Sequence, residues 1–170
     1  MEKKILNLNG TVLRNTEDVW DKDGGRTWSL ISVRDGGYLT IKGNGSVIAK
    51  ENDCYAVDVR DNGHLVIEDG FFNGNITAVY VHDGIAEIKG GEYEIQQLNP
   101  GPNDKRFMLN CLDKNYQNGT AKIIVTGGKF HGFDPGNNLA EGPETSFLAP
   151  GYESIEIEEG VFEVRPVDAE

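Results

Sequence analysis

Four residues near the middle of the chain have side chains that could perform acid–base chemistry. Asp58 lies two residues before Arg60, and Tyr80 lies two residues before His82. Residues two apart on a β-strand point to the same side. On such a face Asp58 could act as an acid or a metal ligand, Arg60 could bind a substrate carboxylate, and Tyr80 or His82 could transfer a proton. These are the candidate catalytic residues if the chain is an enzyme.

That chemistry is incomplete for the most obvious reaction on this kind of surface. Glycoside hydrolysis usually needs two carboxylates at a defined separation, and only Asp58 is expected to point outward here. A solvated sheet face explains the same residues without any reaction. The sequence therefore assigns no catalytic residue outright and leans away from an enzyme.

The four residues belong to a segment that recurs along the chain. Its copies are Ser29–Asp35, Tyr55–Asp61, Thr77–Asp83 and Phe107–Asp113. Each copy precedes a second apolar segment: Leu39–Ile41, Leu65–Ile67, Ala86–Ile88, Ile123–Val125 and, as a fifth copy, Ile155–Ile157. A glycine turn and an aromatic residue follow the later copies: Phe72, Tyr93, Phe130 and Phe162. The alternating apolar pattern predicts three short strands per repeat, which we label A, B and C.

A repeat of three short strands cannot bury its inner face alone, so the repeats must stack about 4.8 Å apart. Stacking predicts vertical columns of like residues, for example Val33, Val59, Val81 and Cys111. Parallel crossovers are almost always right-handed. The sequence therefore predicts an all-β fold, a right-handed single-stranded parallel β-helix (solenoid) of about five three-strand rungs with capped ends.

Composition and length set the limits of the molecule. The 170 residues are expected to form a single domain, with an N-terminal cap and partial rung at 1–28, central rungs at 29–135, and a loop, terminal rung and cap at 136–170. The net charge of −12 argues against nucleic acid or an anionic membrane as partner. No apolar run is long enough to insert in a membrane, and Met1–Asn7 is too short and polar for a secretion signal.

Three long connections, 14–27, 98–106 and 131–145, lie between strand C of one repeat and strand A of the next. Loops in one register project from the same side of a solenoid, so they should form one lateral patch. The predicted ligand- or partner-binding residues in this patch are Trp20, Asp21, Asp23, Trp28, Asn99, Asp104, Arg106, His131, Phe133, Asp134, Asn137 and Glu141. Exposed aromatics among carboxylates and amides suit sugar rings or a protein partner. The alternative is that Trp20, Trp28 and Phe133 fold back over the ends of the core.

Metal and cofactor motifs give no positive prediction. The aspartates that end the strand A segments could stack into a calcium site, but each is followed closely by Gly or Asn, which is typical of turns. Cys54 and Cys111 are expected two rungs apart, too far for a disulfide. No phosphate loop, zinc spacing or dinucleotide signature occurs, so no metal and no cofactor are predicted.

Several segments resemble a group of β-helix proteins from gut bacteria and their phages. They include Asn7–Gly10, Trp28–Val33, Glu51–Val57, Gly127–Phe130 and Glu141–Phe147. The resemblance implies a pectate-lyase-like fold on a virion or cell surface, commonly as a homotrimer that binds surfaces or decorates particles. It carries over no catalytic residue.

The resulting functional prediction is a non-enzymatic structural or binding protein. It would be a phage virion component (capsid decoration, fibre or tail spike) or a surface adhesin, located on a virion or outside the cell. Its partners would be further copies in a trimer, other virion proteins or a surface glycan. Two alternatives stay open: a polysaccharide lyase or glycoside hydrolase acting on the strand A face, and a free carbohydrate-binding module.

Overall fold

The structure is a computed structural model that describes residues 2–17, 28–50, 54–97 and 107–168. In these ranges the fold is all-β, with one short helical segment, α1 (Asp113–Gln117). The strands are β1 (Lys3–Asn7), β2 (Val12–Arg14), β3 (Ser29–Val33), β4 (Tyr38–Lys42), β5 (Ser46–Ile48), β6 (Tyr55–Val59), β7 (Gly63–Ile67), β8 (Phe71–Gly74), β9 (Thr77–Val81), β10 (Gly84–Ile88), β11 (Glu92–Ile95), β12 (Leu109–Cys111), β13 (Ala121–Val125), β14 (Lys129–His131), β15 (Tyr152–Glu158) and β16 (Val161–Pro166).

The strands form three sheets whose pairings are mainly parallel. Sheet 1 has the order β3-β6-β9-β12, and sheet 2 has the order β1-β4-β7-β10-β13. Sheet 3 has the order β2-β5-β8-β11-β14-β16-β15. From β1 to β11, each strand pairs in parallel with the strand three positions later. Predicted strands A, B and C of the central repeats therefore belong to sheets 1, 2 and 3, respectively.

The predicted inner columns are confirmed by the strand registers. In sheet 1, Val33 lies opposite Val59, Val59 opposite Val81, and Val81 opposite Cys111. None of these four side chains is more than 4% exposed. Each buried column removes apolar surface from water at every repeat, which stabilises the stack at roughly 25 cal/mol per Å².

Sheet 3 contributes an aromatic stack to the same core. The Tyr93 ring lies between the rings of Phe72 and Phe130, at centroid distances of 5.4 and 4.8 Å and interplanar angles of 14° and 9°. All three side chains are fully buried. The Tyr93 hydroxyl donates a hydrogen bond to the Gly90 carbonyl (2.7 Å), so its polar end is satisfied inside the core.

The C-terminal part of the chain differs from the prediction. Ile155 and Ile157 were expected to extend the strand B column, but β15 belongs to sheet 3, where Ile155 lies opposite Glu163 of β16. The fifth strand of sheet 2 is instead β1, at the other end of the stack. Only Glu159 and Gly160 separate β15 from β16, and so short a link permits an antiparallel hairpin but no parallel crossover.

The last strands of sheets 1 and 2 are covered by the segment that follows β14. The backbone of Phe147–Ala149 pairs with Val125 of β13 through N–H···O distances of 2.8 and 3.0 Å. In sheet 3, β16 pairs antiparallel with β14. Covering these strands satisfies backbone groups that an open edge would present to other chains.

Candidate functional site on the outer face of sheet 1

The outer side of sheet 1 brings together most of the residues predicted to do chemistry. The strand registers place Ser32 opposite Asp58, Asp58 opposite Tyr80, and Tyr80 opposite Asn110. Asp58 and Tyr80 therefore share a column, as predicted. Arg60 lies next to this column because its guanidinium contacts Asp58.

Asp58 is not the solvated carboxylate that the sequence predicted. Its side chain is fully buried, and its Oδ2 lies 2.9 Å from Nη2 and 3.0 Å from Nε of Arg60. Burial raises the pKa of Asp58 above 3.8, while the neighbouring Ser32 hydroxyl and the Arg60 charge act in the opposite direction. A buried carboxyl held by a guanidinium fixes local structure and cannot touch a large substrate.

Tyr80 and His82 are engaged with other groups. The Tyr80 ring stacks on Tyr55 at 4.8 Å with an interplanar angle of 21°. Burial, and then the neighbouring Tyr55, raise the pKa of Tyr80 to about 12, which makes its phenolate a rare species near neutral pH. His82 Nδ1 lies 3.2 Å from Asp83 Oδ2 in the following turn. The structure thus assigns His82 to a turn pair and gives no described contact between it and Asp58.

Glu141 approaches this face from the segment after β14, which the sequence analysis had placed in the lateral patch. Its Oε1 accepts a hydrogen bond from the backbone N–H of Cys111 at 2.5 Å. Burial raises the pKa of Glu141, and the Cys111 hydrogen bond lowers it. Its charge also contributes to the raised pKa of Tyr80. Glu141 therefore binds a backbone N–H of β12, the last strand of sheet 1. No local sequence pattern predicts this contact.

The remaining predicted patch residues have varied environments. Phe133 is 4% exposed and its ring centroid lies 6.5 Å from that of Phe130, so of the two possibilities left open for this residue the structure supports packing against the core. His131 Nε2 lies 2.5 Å from Glu92 Oε1, and Asp134 accepts the backbone N–H of Gly136 at 2.8 Å. Asn137 is exposed, and Trp28 is 37% exposed at the start of β3. Trp20, Asp21, Asp23, Asn99, Asp104 and Arg106 lie outside the described residues.

The connection 131–145 therefore covers part of the core, as the alternative to an exposed lateral patch predicted for Phe133. Phe133 fills the end of the core beside Phe130, and Glu141 binds the edge of β12. The other two connections contain residues outside the described ranges, so the lateral patch stays a prediction for them.

Three of the four aspartates considered for calcium, Asp35, Asp61 and Asp83, lie in the turns that follow the strands of sheet 1, whereas Asp113 begins α1. Asp35 and Asp61 have left-handed φ angles of 56° and 52°, and Asp83 Oδ1 accepts the backbone N–H of Asn62 at 2.7 Å. Such conformations and side-chain-to-backbone bonds are the ordinary use of Asp in tight turns. Within the described ranges, no group of three His, Cys, Asp or Glu side chains is placed to hold a metal ion.

Comparison with known proteins finds no match to a family model, a curated protein or a solved structure. Among the helices of the described residues, none is long and apolar enough to cross a membrane.

Proposed function

We propose that the chain is a right-handed parallel β-helix that acts as a non-enzymatic structural and binding module on a virion or cell surface. The fold proposal is supported by the parallel pairing of each strand with the strand three positions later, and by the continuous inner columns. The strong preference for right-handed parallel crossovers supplies the hand.

The observation that carries the functional proposal is the complete burial of Asp58 against Arg60. The enzyme alternative needed Asp58 as an accessible acid or ligand on the outer face. In its place the face holds an ion pair and a pair of stacked tyrosines, which make a rigid surface. The virion or surface location and a homotrimeric assembly are proposed on the resemblance of the segments described above.

One observation favours a polysaccharide lyase or hydrolase as second candidate. Glu141 places a carboxylate at the edge of β12, near enough to Tyr80 for its charge to act on that residue, and burial raises the pKa of Glu141. A partly buried carboxyl of raised pKa near a tyrosine is a pair that acid–base chemistry on a sugar chain can use, and here it would act without the buried Asp58.

Turnover and mass measurements test the proposal. We expect no new double bonds or reducing ends from acidic and neutral polysaccharides, and a trimeric mass by light scattering at micromolar concentration. The Asp58→Asn and Glu141→Gln variants are the controls. Turnover by the wild type that Glu141→Gln abolishes would establish the enzyme instead. A monomer at every concentration would contradict the trimer.

A further inference from the structure

A cleft runs along the corner where the strands of sheet 2 turn into those of sheet 3. Its volume is about 450 Å³, within the usual range for ligand sites. Glycines at successive repeats form its floor, namely Gly45, Gly70, Gly91 and Gly128. None of the residues predicted from the sequence to bind a ligand lies in this cleft.

The glycine floor follows from the way the chain turns this corner. Gly70, Gly91 and Gly128 have φ angles of 118°, 90° and 106°, which side chains rarely adopt. A Cβ at Gly91 would also lie 2.9 Å from the Gly70 carbonyl oxygen of the neighbouring repeat. A Cβ at Gly70 or Gly128 would lie 3.2 Å from the buried ring of Phe72 or Tyr93, so packing against the core favours glycine at these positions, and their backbone lines the cleft.

One wall of the cleft is a row of side chains on the outer face of sheet 3. The registers align Ser46 with Phe71, Phe71 with Glu92, Glu92 with Lys129, and Lys129 with Glu163. These residues come from five neighbouring strands, so the cleft crosses the strands at roughly 4.8 Å per position. Phe71 is a partly exposed aromatic in this row, and Asp69 lies beside it in the turn.

The direction of the cleft separates two kinds of polymer. A peptide binds a sheet chiefly by adding a strand to an edge, where backbone groups are unpaired. This cleft crosses paired strands and offers no such edge. A polysaccharide instead needs an aromatic face and hydrogen-bonding groups that recur along its length, and a row of equivalent positions supplies both.

The charges of the cleft narrow the class of sugar. Asp69, Glu92 and Glu163 outnumber Lys129 among the lining residues, and the whole chain has a net charge of −12. Glu92 Oε1 is held by His131 at 2.5 Å, which orients this carboxylate at the rim. An acidic polysaccharide would be repelled, whereas a protonated amino group would be attracted to the carboxylates and to the face of Phe71.

We propose that this cleft binds an extended neutral or amino-sugar polysaccharide, with Phe71 as its aromatic contact. The inference deepens the proposed binding function and rests on it, because it names the ligand class and places the site at a corner of the stack. A basic peptide is the competing ligand for a cleft with this charge.

Isothermal titration calorimetry with the full chain tests the site. The probes are hexamers of a neutral β-linked glucan, glucosamine and galacturonic acid, and a basic peptide of similar length. We expect a neutral or glucosamine hexamer to bind and the galacturonic acid hexamer and the peptide not to bind. Phe71→Ala should weaken the binding about tenfold, as loss of one aromatic contact worth about 1.4 kcal/mol would.

Matched variants keep the outcome interpretable. Phe71→Tyr retains an aromatic ring and should retain binding, and Asp69→Asn should weaken glucosamine binding more than glucan binding. Tyr38→Ala removes a partly buried aromatic from the outer side of sheet 2, away from the cleft, and should leave the affinity for each hexamer unchanged. Circular dichroism and the Tm of Phe71→Ala establish whether the variant is folded.

Three results would overturn the proposal: no hexamer binds, the galacturonic acid hexamer or the peptide binds best, or Phe71→Ala and Phe71→Tyr both bind like the wild type. Sugar binding that ignores Phe71 would exclude this cleft and leave the proposed binding function standing. The mass and turnover measurements are independent of the cleft, so failure of the proposed function would be seen there.

Discussion

At the scale of single residues, the Asp58–Arg60 pair shows why a sequence pattern suggested chemistry that the structure does not provide. Alternation along β6 correctly predicted that Asp58 would share an outer column with Tyr80. It could not predict burial, because alternation gives the side of the sheet to which a side chain points and not how closely its neighbours enclose it. The short carboxylate–guanidinium contact holds Asp58 in a place where an unpaired charge would be costly.

We predict that Arg60→Ala lowers the free energy of unfolding by about 3 kcal/mol at pH 7, because it leaves a buried carboxyl without its partner. The sign of the pH dependence follows from the pKa of Asp58, which is raised above 3.8 in the folded protein. The folded state therefore binds this proton more tightly than the unfolded state does. The contribution of Asp58 to the free energy of unfolding falls as the pH rises from its unfolded pKa through its higher folded pKa. Without Arg60 the folded pKa rises further, so the deficit of the variant should shrink toward pH 4.

Urea unfolding at pH 4.5 and pH 7 measures both effects. Arg34→Ala is the control. Arg34 directly follows β3, the strand beside β6, and 44% of its side chain is exposed. Its replacement should lower the free energy of unfolding by less than about 0.5 kcal/mol. Equal losses for the two arginine variants, or a loss at Arg60 that does not vary with pH, would show that the ion pair is not what holds Asp58.

At the scale of elements, the inner columns and the presence of a C-terminal covering segment could be predicted, but the antiparallel pairing of that segment could not. Apolar residues occupy the positions equivalent to Val59, Leu65 and Phe72 in the neighbouring repeats. Burial of these residues fixes the register of the strands. The β15–β16 hairpin repeats the strand B and C motifs in its sequence but pairs antiparallel. There the short link at Glu159–Gly160 outweighs the apolar pattern, because it leaves no length for a crossover.

The positions of the candidate site residues could be predicted where they depend on strand alternation, and could not where they depend on the path of a long connection. The shared column of Asp58 and Tyr80 follows from period-two alternation. Glu141 at the edge of β12 depends on where a long connection returns, which no nearby residue encodes. The corner cleft is lined by glycines whose positions in the sequence indicate only turns, since the space beside stacked turns is a property of several repeats together.

Glycine at the corner should be more costly to replace than glycine in an open turn. We predict that Gly91→Ala destabilises the protein by about 2 kcal/mol or more, since it adds a close contact to an unfavourable φ. Gly119→Ala is the matched control, because Gly119 has a similar φ of 80° but no atom within 4 Å of a built Cβ. It should cost only about 1 kcal/mol.

Thermal or urea unfolding of the two variants measures the difference. Equal costs would mean that the backbone conformation alone accounts for the corner glycines, and that contact between successive turns contributes nothing.

At the scale of the whole molecule, the dominant electrostatic feature is the excess of acidic residues. The net charge is −12 over 170 residues. The outward row formed by Glu92, Lys129 and Glu163 contains one positive charge against two negative charges, so its charges are only partly balanced. Like charges held together in a compact fold repel one another more than they do in an extended chain.

We therefore predict that the Tm rises as sodium chloride increases from about 20 mM to about 300 mM, because the Debye length shortens and the self-repulsion is screened. Differential scanning calorimetry at pH 7 measures this, with a neutral osmolyte as control for non-ionic effects. A falling Tm would indicate that ion pairs such as Lys89–Glu87 stabilise the fold more than the net charge destabilises it.

The uniform spacing of three strands between partners has an evolutionary consequence. The three strands of the unit Tyr55–Gly74 pair in parallel with the three strands of the following unit, Thr77–Ile95. They pair in the equivalent register with the strands β3, β4 and β5 of the preceding unit. An in-frame duplication of such a unit would give the new copy the neighbours its side chains already fit. Length is therefore a quantity that tandem duplication or deletion can adjust in single increments, and each increment would lengthen the glycine-floored corner by one position.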